Sequence, residues 1–132
     1  MYLLDTNICI YIIKKKPVRA IHRFDELLPG QVAISSITLS ELLFGVENSH
    51  FPEKNRRALE QFLIPLEIID YGYSASLIYG RIRRYLESRG MPIGSLDTLI
   101  AAHAISTCSI LVTNNEKEFC RVPDLVIENW SK

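Results

Sequence analysis

Three acids interrupt segments that otherwise read as apolar. Asp5 follows Tyr2-Leu3-Leu4, Glu41 lies within ITLSELLFG, and Asp97 lies within PIGSLDTLIAAHA. A carboxylate in such surroundings is costly unless something answers its charge. Each acid has a structural role open to it alone. Asp5 can cap the helix that follows. Thr38 and Glu41 fit the T-x-x-E pattern of a capping box. Asp97 falls in a first helical turn, where the macrodipole favours an acid by about 0.3–1 kcal/mol. Yet all three stand at strand-to-helix junctions or first turns, so one end of a sheet can gather them. Gathered carboxylates repel one another and call for a cation. Hard oxygen ligands of this kind suit Mg²⁺ or Mn²⁺. Such an ion, keeping its waters, can activate one of them against a phosphodiester.

The elements that must position these acids alternate in type. Short apolar runs predict strands at Tyr2–Leu4, Gln31–Ser35, Leu66–Asp70, Ile110–Thr113 and around Leu125–Ile127. Helical periodicity predicts helices over Thr6–Lys16, Pro17–Leu28, Thr38–Val46, Glu53–Leu63, Ser74–Arg89 and Ser95–Thr107. Gly30 and Gly90 read as stops. Continuous Ile/Leu/Val strands separated by helices imply βαβ crossovers and a parallel sheet covered on both faces. Ligands of such sheets bind beyond the carboxyl ends of the strands, which is where Asp5 projects.

A chain of 132 residues with 48% hydrophobic and 23% charged content fits one globular domain, 1–132. Fifteen basic and fifteen acidic residues leave no net charge, so partners must be sought in local patches. Three cysteines, Cys9, Cys108 and Cys120, with no C-x-x-C, suggest buried free thiols rather than disulfides or zinc. No basic leader precedes an apolar stretch and no run approaches the ~20 residues of a membrane span. A soluble, cytoplasmic protein with no membrane role is expected.

Other residues have weaker claims. His103 follows Asp97 by six residues, off the spacing for a shared site, and reads as packed. Ser95 is a helix N-cap candidate. Three basic clusters occur: Lys14-Lys15-Lys16 with Arg19 and Arg23; Lys54, Arg56 and Arg57; and Arg81, Arg83, Arg84 and Arg89. Each reads as a solvated helix face, with the first or third available to phosphates. Phe44, Val46, Phe51, Leu59 and Phe62 are either core or a sticky surface for a partner helix.

Four segments in order, LLDTN, SSITLSELLFGV, GRIRRYLESRGMPIGSLDTLIAAHA and LVTNNEKEF, with a closing IENW, resemble the VapC-type toxins of the PIN-domain ribonuclease family. The resemblance implies a three-layer α/β/α fold with a central, mostly parallel sheet of four to five strands. It implies an endoribonuclease using Mg²⁺ or Mn²⁺, the toxin of a toxin–antitoxin pair, acting on RNA such as tRNA. Asp5, Glu41 and Asp97 map onto the family's catalytic acids, with Asp5 and Asp97 as metal ligands. The family's fourth acid, in a T-x-D pattern, is here Asn115, an amide without charge. Glu118 stands three residues on and is either a partial substitute or a solvated helix residue. Partners implied are an antitoxin, RNA and a second copy of the chain, in a hetero-oligomer. Two rival classes remain: an inert PIN-like scaffold that only binds protein or RNA, and a phospho-acceptor receiver domain. The receiver wants paired acids after the first strand and a late lysine. Asp5 instead precedes Thr6-Asn7, and no Lys follows VIEN until Lys132.

Overall fold

The structure is a computed structural model describing residues 1–132. The elements run β1 (Tyr2–Leu4), α1 (Thr6–Lys14), α2 (Val18–Asp25), β2 (Val32–Ser35), α3 (Ser36–Glu47), α4 (Pro52–Leu63), β3 (Glu67–Ile69), α5 (Tyr73–Ser88), α6 (Ser95–Ser106), β4 (Ile110–Val112), α7 (Glu116–Phe119) and β5 (Ile127–Glu128). The five strands form one sheet in the order β3-β2-β1-β4-β5, and every pairing is parallel. The expected α/β/α architecture is therefore present.

Strand alternation sorts the core onto two faces. Leu4, Ile34 and Val112 point to one face, with Ile8 and Ile12 of α1 and Leu59 and Phe62 of α4. Their neighbours Leu3, Ala33 and Leu111 point to the other, with Ile82 and Leu86 of α5 and Ile100 of α6. Leu3 and Leu4 are both fully buried, so truncating either to Ala should cost about 2–5 kcal/mol. β3 is an edge strand with Glu67 and Ile68 exposed. No helix is long and apolar enough to cross a membrane.

Several local expectations are corrected. α1 ends at Lys14, because Lys15 turns left-handed (φ 60) and returns its N–H to Ile12 and Tyr11. α2 begins after Pro17, which is its N-cap residue, and stops at Asp25 rather than Leu28. The capping box at Thr38 does not form. Ser35 caps α3 three residues earlier by accepting from the Ile37 N–H at 3.1 Å, which leaves Thr38 buried inside the helix. Ser95 is likewise inside α6, whose N-cap is Gly94. β5 lies at Ile127–Glu128, beyond a turn at Asp124 (φ 65). Of the three thiols only Cys9 is buried; Cys108 and Cys120 are exposed.

Strand order reverses between β1 and β4, inner neighbours in the sheet: the chain goes from β1 out to the β3 edge and from β4 out to the β5 edge. That switch point opens a crevice at the carboxyl ends of the two strands. Asp5 leaves β1 there, and Thr113-Asn114-Asn115 leave β4 there.

Candidate active site

Asp5 performs its structural role and more. One carboxylate oxygen accepts from the Ile8 N–H at 3.0 Å and caps α1, while its own backbone N–H bonds the Val112 carbonyl across to β4 at 3.0 Å. Thr113, fully buried, donates its hydroxyl to the carboxylate. These bonds favour the charged form, but burial outweighs them, and the Glu41 charge adds to it. The Asp5 carboxyl is held above its ordinary range.

Glu41 projects from the middle of α3, without the cap bond that would have explained it. Its Oε1 accepts from the Thr6 hydroxyl at 2.8 Å. Thr6 is the first residue of α1, so this bond ties the start of α1 to α3. Nothing in the sequence marked Thr6, because the pair spans 35 positions between two helices.

Asp97 lies in the first turn of α6 and is half-buried. The macrodipole there favours a charged acid. It loses. Burial first, then a hydrogen bond and charge from Glu118, then the charges of Asp5 and Glu41, push the carboxyl up to about 6. Asn115 Nδ2 donates to Glu118 Oε2 at 3.1 Å and approaches Asp97 Oδ2 at 3.5 Å. The Asn115 backbone N–H donates to Thr113 Oγ1 at 3.0 Å, so one hydroxyl links Asp5 to Asn115. Glu118 on the short helix α7 is thus part of the cluster, and its reading as a solvated residue is set aside.

A second buried pair braces this frame. His103 of α6 is 2% exposed, with Nδ1 2.7 Å from the Ser35 hydroxyl at the α3 N-cap. Its ring packs edge-on to Tyr71 at 5.4 Å. Burial lowers its pKa against a raising bond to the Asp70 backbone, so the ring is neutral near pH 7. The histidine is packed, as its spacing suggested, and it joins the helix carrying Asp97 to the start of the helix carrying Glu41.

The structure therefore brings Asp5, Glu41, Asp97 and Asn115 to one place and adds Glu118, Thr6 and Thr113. Hydroxyls, amides and backbone N–H groups answer the carboxylates, and none of the chain's ion pairs involves them. No three His, Cys, Asp or Glu side chains close in tightly enough to hold an ion on protein ligands alone. Mg²⁺ commonly takes one or two carboxylates and keeps several waters. Asp5 and Asp97 could supply the two, and the repulsion that raises Asp97 is what a cation would relieve.

Fold and site together define a parallel α/β protein with a cluster of carboxylates at its topological switch point. The PIN domain family model matches residues 2–125. The chain is 47% identical to the ribonuclease VapC2 of Rickettsia felis, covering 100% of this chain and 99% of that relative. It is 45% identical to the tRNA(fMet)-specific endonuclease VapC of Shigella flexneri, covering 98% of each. A crystal structure of VapBC2 from Rickettsia felis bound to a DNA fragment from its promoter matches with a TM-score of 0.92 at 47% identity, over 98% of both chains. The chain belongs to the PIN-domain family, in its VapC ribonuclease branch.

Proposed function

We propose that residues 1–132 form one cytoplasmic nuclease domain, a Mg²⁺- or Mn²⁺-dependent endoribonuclease acting as the toxin of a toxin–antitoxin pair. The observation that carries this reading is the set of four carboxyl groups, Asp5, Glu41, Asp97 and Glu118, close enough to act on one another's charge and without a protein cation. A divalent ion held by Asp5 and Asp97 would supply an activated water and neutralise charge on the phosphate. Glu41, oriented by Thr6, keeps one oxygen to accept a proton from the attacking water. Asn115 restrains Asp97 and Glu118 by hydrogen bonds and adds no charge, which favours one ion over a tightly bound pair. The substrate class is structured RNA such as tRNA, the class named for the Shigella flexneri relative.

The partner follows from a groove of about 350 Å³ between α1, α3 and α4. Ile10, Ile13, Leu42, Val46 and Leu59 line it, and Glu41 stands in the same wall. Phe44 and Phe51 are each 68% exposed, while Val46, Leu59 and Phe62 are core. An amphipathic antitoxin helix fits this groove, and a basic side chain from it would reach the acids. The solved VapBC relatives support a toxin–antitoxin hetero-oligomer, and we read the toxin within it as a homodimer.

The test is cleavage of a tRNA(fMet) transcript by the purified chain, with product ends identified by mass. The expected result is cleavage with Mg²⁺ or Mn²⁺, none with chelator, and a 5′-phosphate on the downstream fragment. A 2′,3′-cyclic phosphate formed without metal would point to attack by the ribose hydroxyl and overturn the scheme.

A further inference from the structure

We propose that the RNA leaves the acid cluster along α1, over Tyr11 onto Lys14 and Lys16. This rests on the nuclease reading above and adds where the substrate lies.

The three basic clusters differ in how far acids answer them and in where they lie relative to the acid cluster. On α4, Arg56 pairs with Glu47, and Arg57 shares a surface depression with Glu47, Glu53 and Glu60. On α5, Arg83 pairs with Glu87 at 2.9 Å and Arg89 lies over the Tyr85 ring at 5.0 Å, while Arg81 and Arg84 are exposed and unpaired but make no hydrogen bond or ion pair to the acid cluster. In the first cluster only Arg23 is paired, with Glu26 and Glu128. Lys14, Lys15, Lys16 and Arg19 are exposed and form no ion pair. No acid occurs between Asp5 and Asp25. Lys14 and Lys16 line a depression with Ile10, Tyr11, Pro17 and Ser131, and no acid lines it. Lys14 also lines the groove in whose wall Glu41 stands, without forming an ion pair with it, so this positive surface reaches the edge of the acids.

It is also continuous with the acid cluster. Asn115 touches Asp97 and Glu118, and the preceding Asn114 donates from Nδ2 to the Tyr11 hydroxyl at 2.6 Å. Tyr11 donates to no protein acceptor, so its O–H remains available to a phosphate oxygen. Asn7, Tyr11 and Lys14 fall at i, i+4 and i+7 on one face of α1. From Asn7 beside Asp5 to Lys14 that face runs roughly 10 Å. Lysines placed so neutralise backbone phosphates, which positions RNA without reading its bases. Tyr11, Lys14 and Lys16 are accordingly positioning residues.

The experiment compares wild type, Lys14→Ala/Lys16→Ala, Tyr11→Phe and the charge-matched Lys54→Ala/Arg57→Ala, all with the tRNA(fMet) transcript in Mg²⁺. The lysine pair should raise KM about tenfold and leave kcat within about twofold, because it removes uniform binding. Tyr11→Phe should raise KM about threefold by the same logic. Binding measured in an Asp97→Asn background should weaken in parallel. The slope of log affinity against log salt should fall by about 1.4 for two lost single-strand phosphate contacts. The Lys54/Arg57 variant should match wild type. Wild-type affinity and slope in the lysine pair would overturn the track while leaving the nuclease intact. So would an equal loss in the Lys54/Arg57 variant, or equal competition by polyglutamate, which would assign the surface to any polyanion. A wild-type chain that neither binds nor cleaves the transcript would defeat the nuclease reading itself, and the track with it.

Discussion

Tyr2 opens β1 and Asp5 follows its end, and each anchors a polar cluster. Around Tyr2 every charge is answered. Arg23 donates to the Tyr2 hydroxyl at 3.2 Å, to Glu128 at 3.0 Å and to Glu26 at 3.3 Å. Its guanidinium lies over the Tyr2 and Trp130 rings at 5.5 and 5.6 Å, and Trp130 Nε1 donates to Glu128 at 2.8 Å. The Tyr2 bond, with Glu128, raises the Arg23 pKa further. Around Asp5 the design is reversed. Like charges are brought together, and the groups that answer them are neutral donors. A fold can complete the first cluster by itself. The second has no protein cation to balance it, and under the proposed function a divalent ion would do so. What separates a structural polar cluster from a chemical one here is the sign of its balance, not its burial.

That contrast can be broken by mutation. The largest effect is expected at Asp97→Asn, which should reduce RNA cleavage about a thousandfold or more while the fold persists. Near-native turnover in Mg²⁺ would place the chemistry elsewhere. Arg23→Ala should do the opposite. It removes an ion pair to Glu128 whose side chains are about a third exposed, a more exposed one to Glu26 and two ring contacts, so a loss of about 1 kcal/mol in urea unfolding is expected, with kcat unchanged. A cleavage defect in that variant would show the clusters to be coupled.

A smaller effect separates them by pH. The Asp97 carboxyl titrates near 6 in the folded chain against 3.8 for an ordinary aspartate. The folded state therefore holds this proton more tightly than the unfolded chain does. Its contribution favours folding below pH 3.8, declines as pH rises to about 6 and is absent above. Asp97→Asn lacks that decline. Without divalent ions, the melting temperatures of variant and wild type should converge near pH 4, with the variant a few degrees higher by pH 7. Parallel curves across that range would show that the acids do not strain one another. Smaller again is Asn115→Asp, which should tighten Mn²⁺ binding several-fold by restoring a carboxylate next to Asp97 and Glu118.

How much of this was readable depended on the length of the signal. Apolar strands flanked by periodic helices declared the parallel sheet, since burial on both faces leaves continuous hydrophobic runs. α7 had no bounds in the sequence, where only the helical reading of Glu118 hinted at it, because four residues carry no period. Asp5, Glu41 and Asp97 stood out as charges among apolar neighbours. Glu41 was still ambiguous from sequence, since Thr38-x-x-Glu41 is a valid capping pattern; Ser35 pre-empted it by starting the helix earlier. Thr6, Thr113 and the Ser35–His103 link were invisible because their partners are distant in the chain. Glu118 needed the geometry of the β4–α7 turn to join the acids.

The central claim is that these acids form an incomplete site awaiting a divalent cation. The most direct measurement is a calorimetric titration of Mn²⁺ into the wild-type chain and into Asp97→Asn, with melting followed in parallel. The account predicts one saturable site in wild type, a rise in melting temperature as it fills, and neither in Asp97→Asn. Equal Mn²⁺ affinity in the two proteins, or no binding to either, would contradict it.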